Sequence, residues 1–173
     1  MNLEELFSLQ AELDKIISIN HNLAHNNLFS KKIIALIVEV SELANATRCF
    51  KYWSYKQPEP KEIVLEEFAD CLHFTISLGV EIGFNNFNKI IYEKCSVPLY
   101  EQFLNLYIDV NDFLACHNEE NFISIFNDLI CMGLSMNFTI IELFDSYIKK
   151  YEYFKNTYKF VYKVKQDCSD LIK

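Results

Sequence analysis

The chain has 173 residues, about half of them hydrophobic, which is the size of one domain with its own core. Only three Gly and three Pro occur, and the formal charge is −8, so a turn-rich β architecture and a nucleic-acid partner are both disfavoured. We therefore expect an all-α, single-domain helical bundle over residues 1–173. A small phosphorylated ligand is compatible with this charge, because a divalent metal can supply positive charge.

Six cysteines lie at wide intervals, without a CxxC pair or a neighbouring histidine at zinc-ligand spacing. Reduced and mostly buried thiols are the expectation. The amino terminus is acidic and amphipathic, unlike a signal peptide, and no stretch approaches the ~18 continuous apolar residues of a membrane span. We expect a soluble, cytoplasmic protein without a membrane partner.

Apolar residues at helical spacing and local cap signals predict the helices in chain order. The first runs from Asn2 to about Ile19, and Asn2 with Glu5 resembles a capping box, in which each side chain bonds the backbone of the other residue. A polar segment follows. The next stretch has no helix breaker and predicts a long, largely buried second helix over about residues 30–53.

The third helix is predicted over about residues 61–82, because Pro60 suits a helix start and Gly83 suits a helix end. The carboxyl-terminal half of the chain contains similar helix-start signals, namely one more proline and a second capping box. Three further helices are predicted over about residues 99–115, over about 119–134 and, after the capping box of Thr139 and Glu142, up to about Val164.

Two pairs of acidic residues are the main chemical feature of the sequence. Glu39 and Glu42 lie three residues apart in the apolar segment IIALIVEVSELA, and Glu67 and Asp70 repeat this spacing in VLEEFADCLHF. The spacing places both members of a pair on one helical face, where like charges in an apolar stretch repel each other and lose hydration. Two facing pairs offer carboxylate oxygens to a hard cation, so we expect a Mg²⁺ site.

Spacing alone leaves other interpretations of these residues open. Each pair also suits the solvated face of an amphipathic helix, or a partner of Lys and Arg side chains. Asp70 and His73 have the i, i+3 spacing of ligands in a di-iron bundle, although no second pair of this kind occurs in a predicted helix. A GxSxG nucleophile motif and a Walker A loop are absent from the sequence.

The segments EVSELANATRCFKYWS and LEEFADCLHFTISLG resemble the all-α nucleoside triphosphate pyrophosphatases, and specifically the dimeric dUTPase family. The opening LFSLQAELDKII is similar to the first helix of that family. The resemblance implies a Mg²⁺-dependent dUTP diphosphatase, which converts dUTP and water to dUMP and pyrophosphate by attack of a metal-activated water. It also implies a homodimer with its site at a subunit contact.

The resemblance assigns roles to individual residues. The implied metal ligands are Glu39, Glu42, Glu67 and Asp70. Glu39 and Glu42 would also be catalytic, because one of them orients the attacking water. The implied substrate-binding residues are Gln10, Asp14, Lys51, Trp53, His73, Phe74, Lys150 and Tyr162. Gln10 matches a position that reads the uracil edge, a task that suits an amide because it both donates and accepts hydrogen bonds.

The last helix departs from the family pattern. Lys150 and Tyr162 match phosphate-binding positions, but Phe154 and Thr157 stand where the family has Asn and Arg. A forked, permanently charged phosphate donor is thereby lost, although Lys155 lies nearby. Two hypotheses follow. The protein is a dUTP diphosphatase, or it is a dUTPase-derived helical protein with weak or lost turnover that binds a nucleotide or a protein partner.

Overall fold

The computed structural model describes residues 2–23 and 27–170, with side chains as far as Tyr158. Within these ranges the regular structure consists of six α-helices and one short 3-10 turn at Phe87–Lys89, and no strand occurs. The expected all-α fold is confirmed. The helices are α1 (Leu3–Asn20), α2 (Phe29–Thr47), α3 (Lys61–Glu81), α4 (Leu99–Ala115), α5 (Glu119–Ser135) and α6 (Ile140–Asp170).

The α3 helix lies at the centre of the bundle. It packs against α1, α2, α5 and α6, while α4 packs against α2 and α5. Phe68, Leu72 and Ile76 of α3 are fully buried, and burial of a side chain of this size contributes about 1.5–3 kcal/mol. Because neighbouring helices surround α3, most of its polar groups face another helix, and this arrangement positions the candidate site.

Both capping boxes predicted from the sequence form in the structure. In the first capping box, Glu5 N–H donates to Asn2 Oδ1 at 2.9 Å, and Asn2 N–H donates to Glu5 Oε2 at 3.0 Å. In the second box, Thr139 N–H donates to Glu142 Oε2 at 2.8 Å. Gly83 follows α3 with a φ of 69°, a left-handed conformation that glycine adopts at low cost.

The prediction of a second helix over residues 30–53 is wrong at its carboxyl end, because α2 ends at Thr47. Arg48 has a left-handed backbone with a φ of 57°. Its guanidinium donates to Ser54 Oγ at 2.7 Å and to the Lys56 carbonyl at 3.2 Å. These side-chain contacts stabilise a turn that the apolar pattern of the sequence does not indicate.

Burial is lower than predicted in two places. The α2 helix is not largely buried, since Ile34 and Val38 are exposed on its outer face. Among the cysteines whose side chains are described, Cys71 is buried and Cys116 is exposed, while the other three are half-buried. All five have free thiols, as expected, but the prediction that most cysteines are buried is wrong for them.

The α6 helix extends to Asp170, beyond the predicted end near Val164. Among the described residues, no single helix has both the length and the apolar character needed to cross a membrane. Two consecutive helical segments, Glu119–Ser135 and Ile140–Tyr158, have the required length and apolar composition only when they are taken together, and the angle between them is 110°.

An acidic pair joins α4 to α5. Asp109 is half-buried and shares a hydrogen bond with Asp128. Burial, followed by the negative charge of Asp128, raises the pKa of Asp109 from 3.8 to about 6. The folded protein therefore binds this proton more tightly than the unfolded chain does. The contribution of Asp109 to stability accordingly falls as the pH rises through the interval between these two values.

We expect Asp109→Asn to raise the melting temperature at pH 8 by about 1–3 °C, because the amide can donate to Asp128 without carrying a charge. Near pH 4 the difference should vanish, since Asp109 is then protonated in the folded protein. Thermal melts followed by circular dichroism measure both values. Asp145→Asn is the control, because Asp145 is an exposed aspartate of α6 that is not among the charges acting on Asp109. Equal melting temperatures of Asp109→Asn and wild type at pH 8 would contradict the prediction.

Candidate functional site

Three of the four predicted carboxylates come together where α2 faces α3. One carboxylate oxygen from each of Glu39, Glu67 and Asp70 lies within 4.8 Å of the other two, and we call these residues the three-carboxylate cluster. Glu39 comes from α2, and the other two come from successive turns of α3. Glu42 is exposed and does not belong to this group, although its charge acts on Glu39 and Glu67.

The three-carboxylate cluster has an excess of negative charge. Burial, and then the charges of Asp70, Glu42 and Glu67, raise the pKa of Glu39 to about 7. The pKa values of Glu67 and Asp70 are also raised, in both cases chiefly by burial. Within the described residues, one ammonium contacts the cluster directly, from Lys150 Nζ to Asp70 Oδ2 at 2.8 Å. Three carboxylates whose negative charge is compensated by only one contacting ammonium form a donor set that fits a hard divalent cation.

A cavity of about 880 Å³ opens beside the three-carboxylate cluster, between α1, α2, α3 and α6. Its volume is within the range of small-molecule binding sites. The structure therefore brings most of the predicted site residues to one cavity. Those that line it are Gln10, Asp14, Glu39, Glu42, Asp70, His73, Phe74 and Lys150.

Among the described residues, the predicted site residues Lys51, Trp53 and Glu67 do not line this cavity. Lys51 and Trp53 lie in the turn and loop that follow α2, where Trp53 is largely exposed and the Lys51 ammonium lies 5.5 Å from the centre of the Phe50 ring. Tyr162 falls outside the residues whose side chains are described. The roles of Lys51, Trp53 and Tyr162 stay predictions. Glu67 contributes to the three-carboxylate cluster without being part of the cavity lining.

Gln10 and His73, which line the cavity, form a buried hydrogen-bonded group with Tyr147. Gln10 Oε1 lies 2.8 Å from His73 Nδ1 and accepts from the Tyr147 hydroxyl at 3.0 Å. His73 Nε2 lies 3.1 Å from the Tyr147 carbonyl oxygen, and the two rings stack at 4.0 Å. Burial lowers the pKa of His73 to about 4, so the ring is neutral at pH 7.

Sequence reasoning missed Lys32, Ser77 and Tyr147. Lys32 of α2 donates to Asp14 at 3.1 Å, and Ser77 of α3 donates to the same carboxylate oxygen at 2.5 Å. Lys32 precedes Glu39 by seven residues, which is about two helical turns, so both face the cavity. That spacing was a signal by which Lys32 could have been found. Ser77 and Tyr147 carried no comparable signal.

The structure defines a class of protein, an all-helical bundle in which three carboxylates, a donor set that fits a hard cation, lie beside a cavity of the size of a small-molecule site. A family model for dUTPase matches residues 2–159 of the chain. The chain therefore belongs to the dUTPase family, and the resemblance found in the sequence is confirmed. No curated protein matches the chain.

Proposed function

We propose that the protein is a Mg²⁺-dependent dUTP diphosphatase that converts dUTP and water to dUMP and pyrophosphate. Membership of the dUTPase family supports the nucleotide substrate. The observation that carries the metal-dependent chemistry is the convergence of Glu39, Glu67 and Asp70 within 4.8 Å. When bound at this cluster, Mg²⁺ would neutralise charge on the phosphate oxygens and raise the hydroxide character of a water molecule.

We assign separate roles in this reaction to the residues around the cavity. Glu39, Glu67 and Asp70 hold the cation. Glu42 lines the same cavity outside the three-carboxylate cluster, so its carboxylate is available to orient the attacking water and accept its proton. Lys150 donates to a phosphate oxygen once it is released from Asp70. Other lining residues, including His73 and Phe74, enclose the base and the sugar.

Pyrophosphate release tests this proposal directly. The assay uses dUTP, dCTP, dTTP, dATP and dGTP, each with Mg²⁺ and with a chelator in its place. We expect release from dUTP in the presence of Mg²⁺, much slower release from the other four, and none with the chelator. No release from any of the five nucleotides would overturn the proposed activity.

The second candidate function is nucleotide binding without efficient turnover, and two residues of α6 favour it. The Phe154 ring lines the cavity at a position where the family pattern has an amide. Thr157 is exposed and donates to the Tyr153 carbonyl of its own helix at 2.8 Å instead of facing a ligand. This function predicts that calorimetry detects dUTP binding while the assay detects no pyrophosphate.

We further propose that the protein is a homodimer whose subunits meet at an apolar face of α2 and α4. The face carries Ile34 (61% exposed), Val38 (45%), Leu104 (58%) and Ile108 (58%). A groove of about 320 Å³ lies between the two helices and also reaches Phe50, in the loop that bears Trp53. Large exposed apolar side chains on two helices that pack together favour a protein contact there.

Light scattering tests the homodimer. We expect a mass twice that of the 20.4 kDa chain for the wild type, and the mass of one chain for Leu104→Glu. Ile141→Glu is the matched control, because Ile141 is equally apolar and 72% exposed, but lies on α6. A wild-type mass of about 20 kDa would refute the proposed dimer.

A further inference from the structure

Two cysteines meet where the chain between α3 and α4 crosses α5. Cys95 lies in residues 90–97, which have no helical structure and which we call the connecting segment, and Cys131 lies in α5. The Cys131 sulfur accepts a hydrogen bond from the backbone N–H of Cys95 and shares another with the Cys95 thiol. Both thiols are free and half-buried. The two sulfur atoms are therefore neighbours that a small reagent can reach.

Contacts on either side of Cys131 fix how the connecting segment lies on α5. Asn127, Cys131 and Ser135 are spaced by four residues, so they share one face of this helix. The Ile91 N–H donates to Asn127 Oδ1 at 2.8 Å, and Ser135 Oγ donates to the Cys95 carbonyl at 3.5 Å. The segment thus runs along this face with Cys95 opposite Cys131.

The buried amide of Gln102 contacts both sides of the cysteine pair. Gln102, in α4, is 4% exposed. Its Nε2 donates to the Val97 carbonyl at 2.8 Å, and its Oε1 accepts from the Cys131 thiol at 4.0 Å. In contrast, residues 91–94 of the connecting segment are exposed. A segment with so few buried side chains opens at low free energy, so a covalent link at Cys95 would hold it closed.

We propose that Cys95 and Cys131 are the site of a reversible disulfide that fastens the connecting segment to α5. The oxidant is a low-molecular-weight disulfide. The thiolate of one cysteine attacks it, cleaves its S–S bond and releases one small thiol. The second cysteine then attacks the mixed disulfide, forms the Cys95–Cys131 bond and releases the second small thiol. Two electrons pass from the protein thiols to the small disulfide, and the two protons remain on the released thiols.

The surroundings of the two thiols determine the order of these steps. Burial, followed by the Cys95 thiol, raises the pKa of the Cys131 thiol to about 11. The thiolate is the nucleophile, so Cys131 is the poorer attacker of a reagent in solution. The first attack is therefore assigned to Cys95. Cys131 closes the bond from contact distance, where proximity compensates for its small thiolate fraction.

Peptide mapping tests the disulfide. The full chain is incubated with oxidised glutathione, its remaining thiols are alkylated, and it is digested without reduction for mass spectrometry. We expect the wild type to yield one pair of peptides joined through Cys95 and Cys131, which dithiothreitol separates. Cys131→Ser should instead accumulate a glutathione adduct at Cys95. Cys116→Ser is the matched control, because it removes an exposed thiol just after α4 and should keep the disulfide.

Thermal melts test whether the disulfide fastens the segment. The bond would enclose all of α4 in a closed loop, so we expect oxidation to raise the melting temperature of the wild type by about 4–10 °C. Cys95→Ser should melt at the same temperature with and without the oxidant, whereas Cys116→Ser should show the wild-type increase.

Three results would overturn the proposed disulfide site. They are the absence of a peptide pair joined through Cys95 and Cys131 from oxidised wild type, a glutathione adduct that persists at Cys95 while Cys131 is present, and an oxidised wild type that melts no higher than the reduced one. All three use the wild-type chain, so the test holds even if a serine variant does not fold.

Discussion

Glu39→Gln is expected to reduce pyrophosphate release from dUTP by at least about 1,000-fold. Glutamine preserves the size of the side chain but removes a charged oxygen ligand. Glu39 is the α2 member of the three-carboxylate cluster, so the remaining pair from α3 would be left to hold the cation alone. Steady-state kinetics measures the loss, and titration calorimetry with Mg²⁺ measures the accompanying loss of metal affinity.

The fold of Glu39→Gln should remain intact. Burial and neighbouring charges raise the pKa of Glu39 to about 7, so at pH 8 the substitution removes a carboxylate whose ionisation the folded protein disfavours. We therefore expect a melting temperature at pH 8 no lower than that of the wild type. Glu62→Gln, an exposed position in the first turn of α3, is the control and should keep full activity. A well-folded Glu39→Gln enzyme within tenfold of wild-type activity would contradict the proposed metal site.

Lys150→Met is expected to strengthen the binding of Mg²⁺ and to weaken the binding of the nucleotide. Lys150 Nζ lies 2.8 Å from Asp70 Oδ2, so the ammonium competes with a cation for that carboxylate. Its removal should tighten Mg²⁺ binding in the absence of nucleotide by about tenfold. The same change removes a charged donor to phosphate, so the KM for dUTP should rise by about 10–100-fold.

Calorimetry with Mg²⁺ and steady-state kinetics with dUTP measure the two effects of Lys150→Met separately. Lys149→Met removes an equal charge from the adjacent, exposed position of α6 and should change neither value more than about twofold. Weaker Mg²⁺ binding by Lys150→Met would show that Lys150 does not compete with the cation. An unchanged KM would show that it does not reach the phosphates.

Helix positions were predictable to the extent that local chemistry determines them. The predicted helix over residues 99–115 coincides with α4, and the predicted 61–82 differs from α3 by one residue. Prolines, capping boxes and Gly83 act through backbone groups only a few residues away, so the sequence alone contains the necessary information. The end of α2 was missed, because the turn at Arg48 depends on side-chain bonds to a loop that the helical pattern cannot reveal.

The sequence by itself determined the all-α fold and two acidic pairs on successive helices, because periodicity and local spacing are properties of the chain. Its segments also carried the resemblance to the dUTPase family, to which the chain belongs. Only the tertiary structure decided that Glu39, Glu67 and Asp70 converge while Glu42 remains exposed beside them. It likewise decided that Asp14 meets Lys32 and Ser77, which lie 18 and 63 positions further along the chain. Such contacts depend on how α1, α2 and α3 pack and rotate against one another, and spacing within a single helix carries no information about that packing.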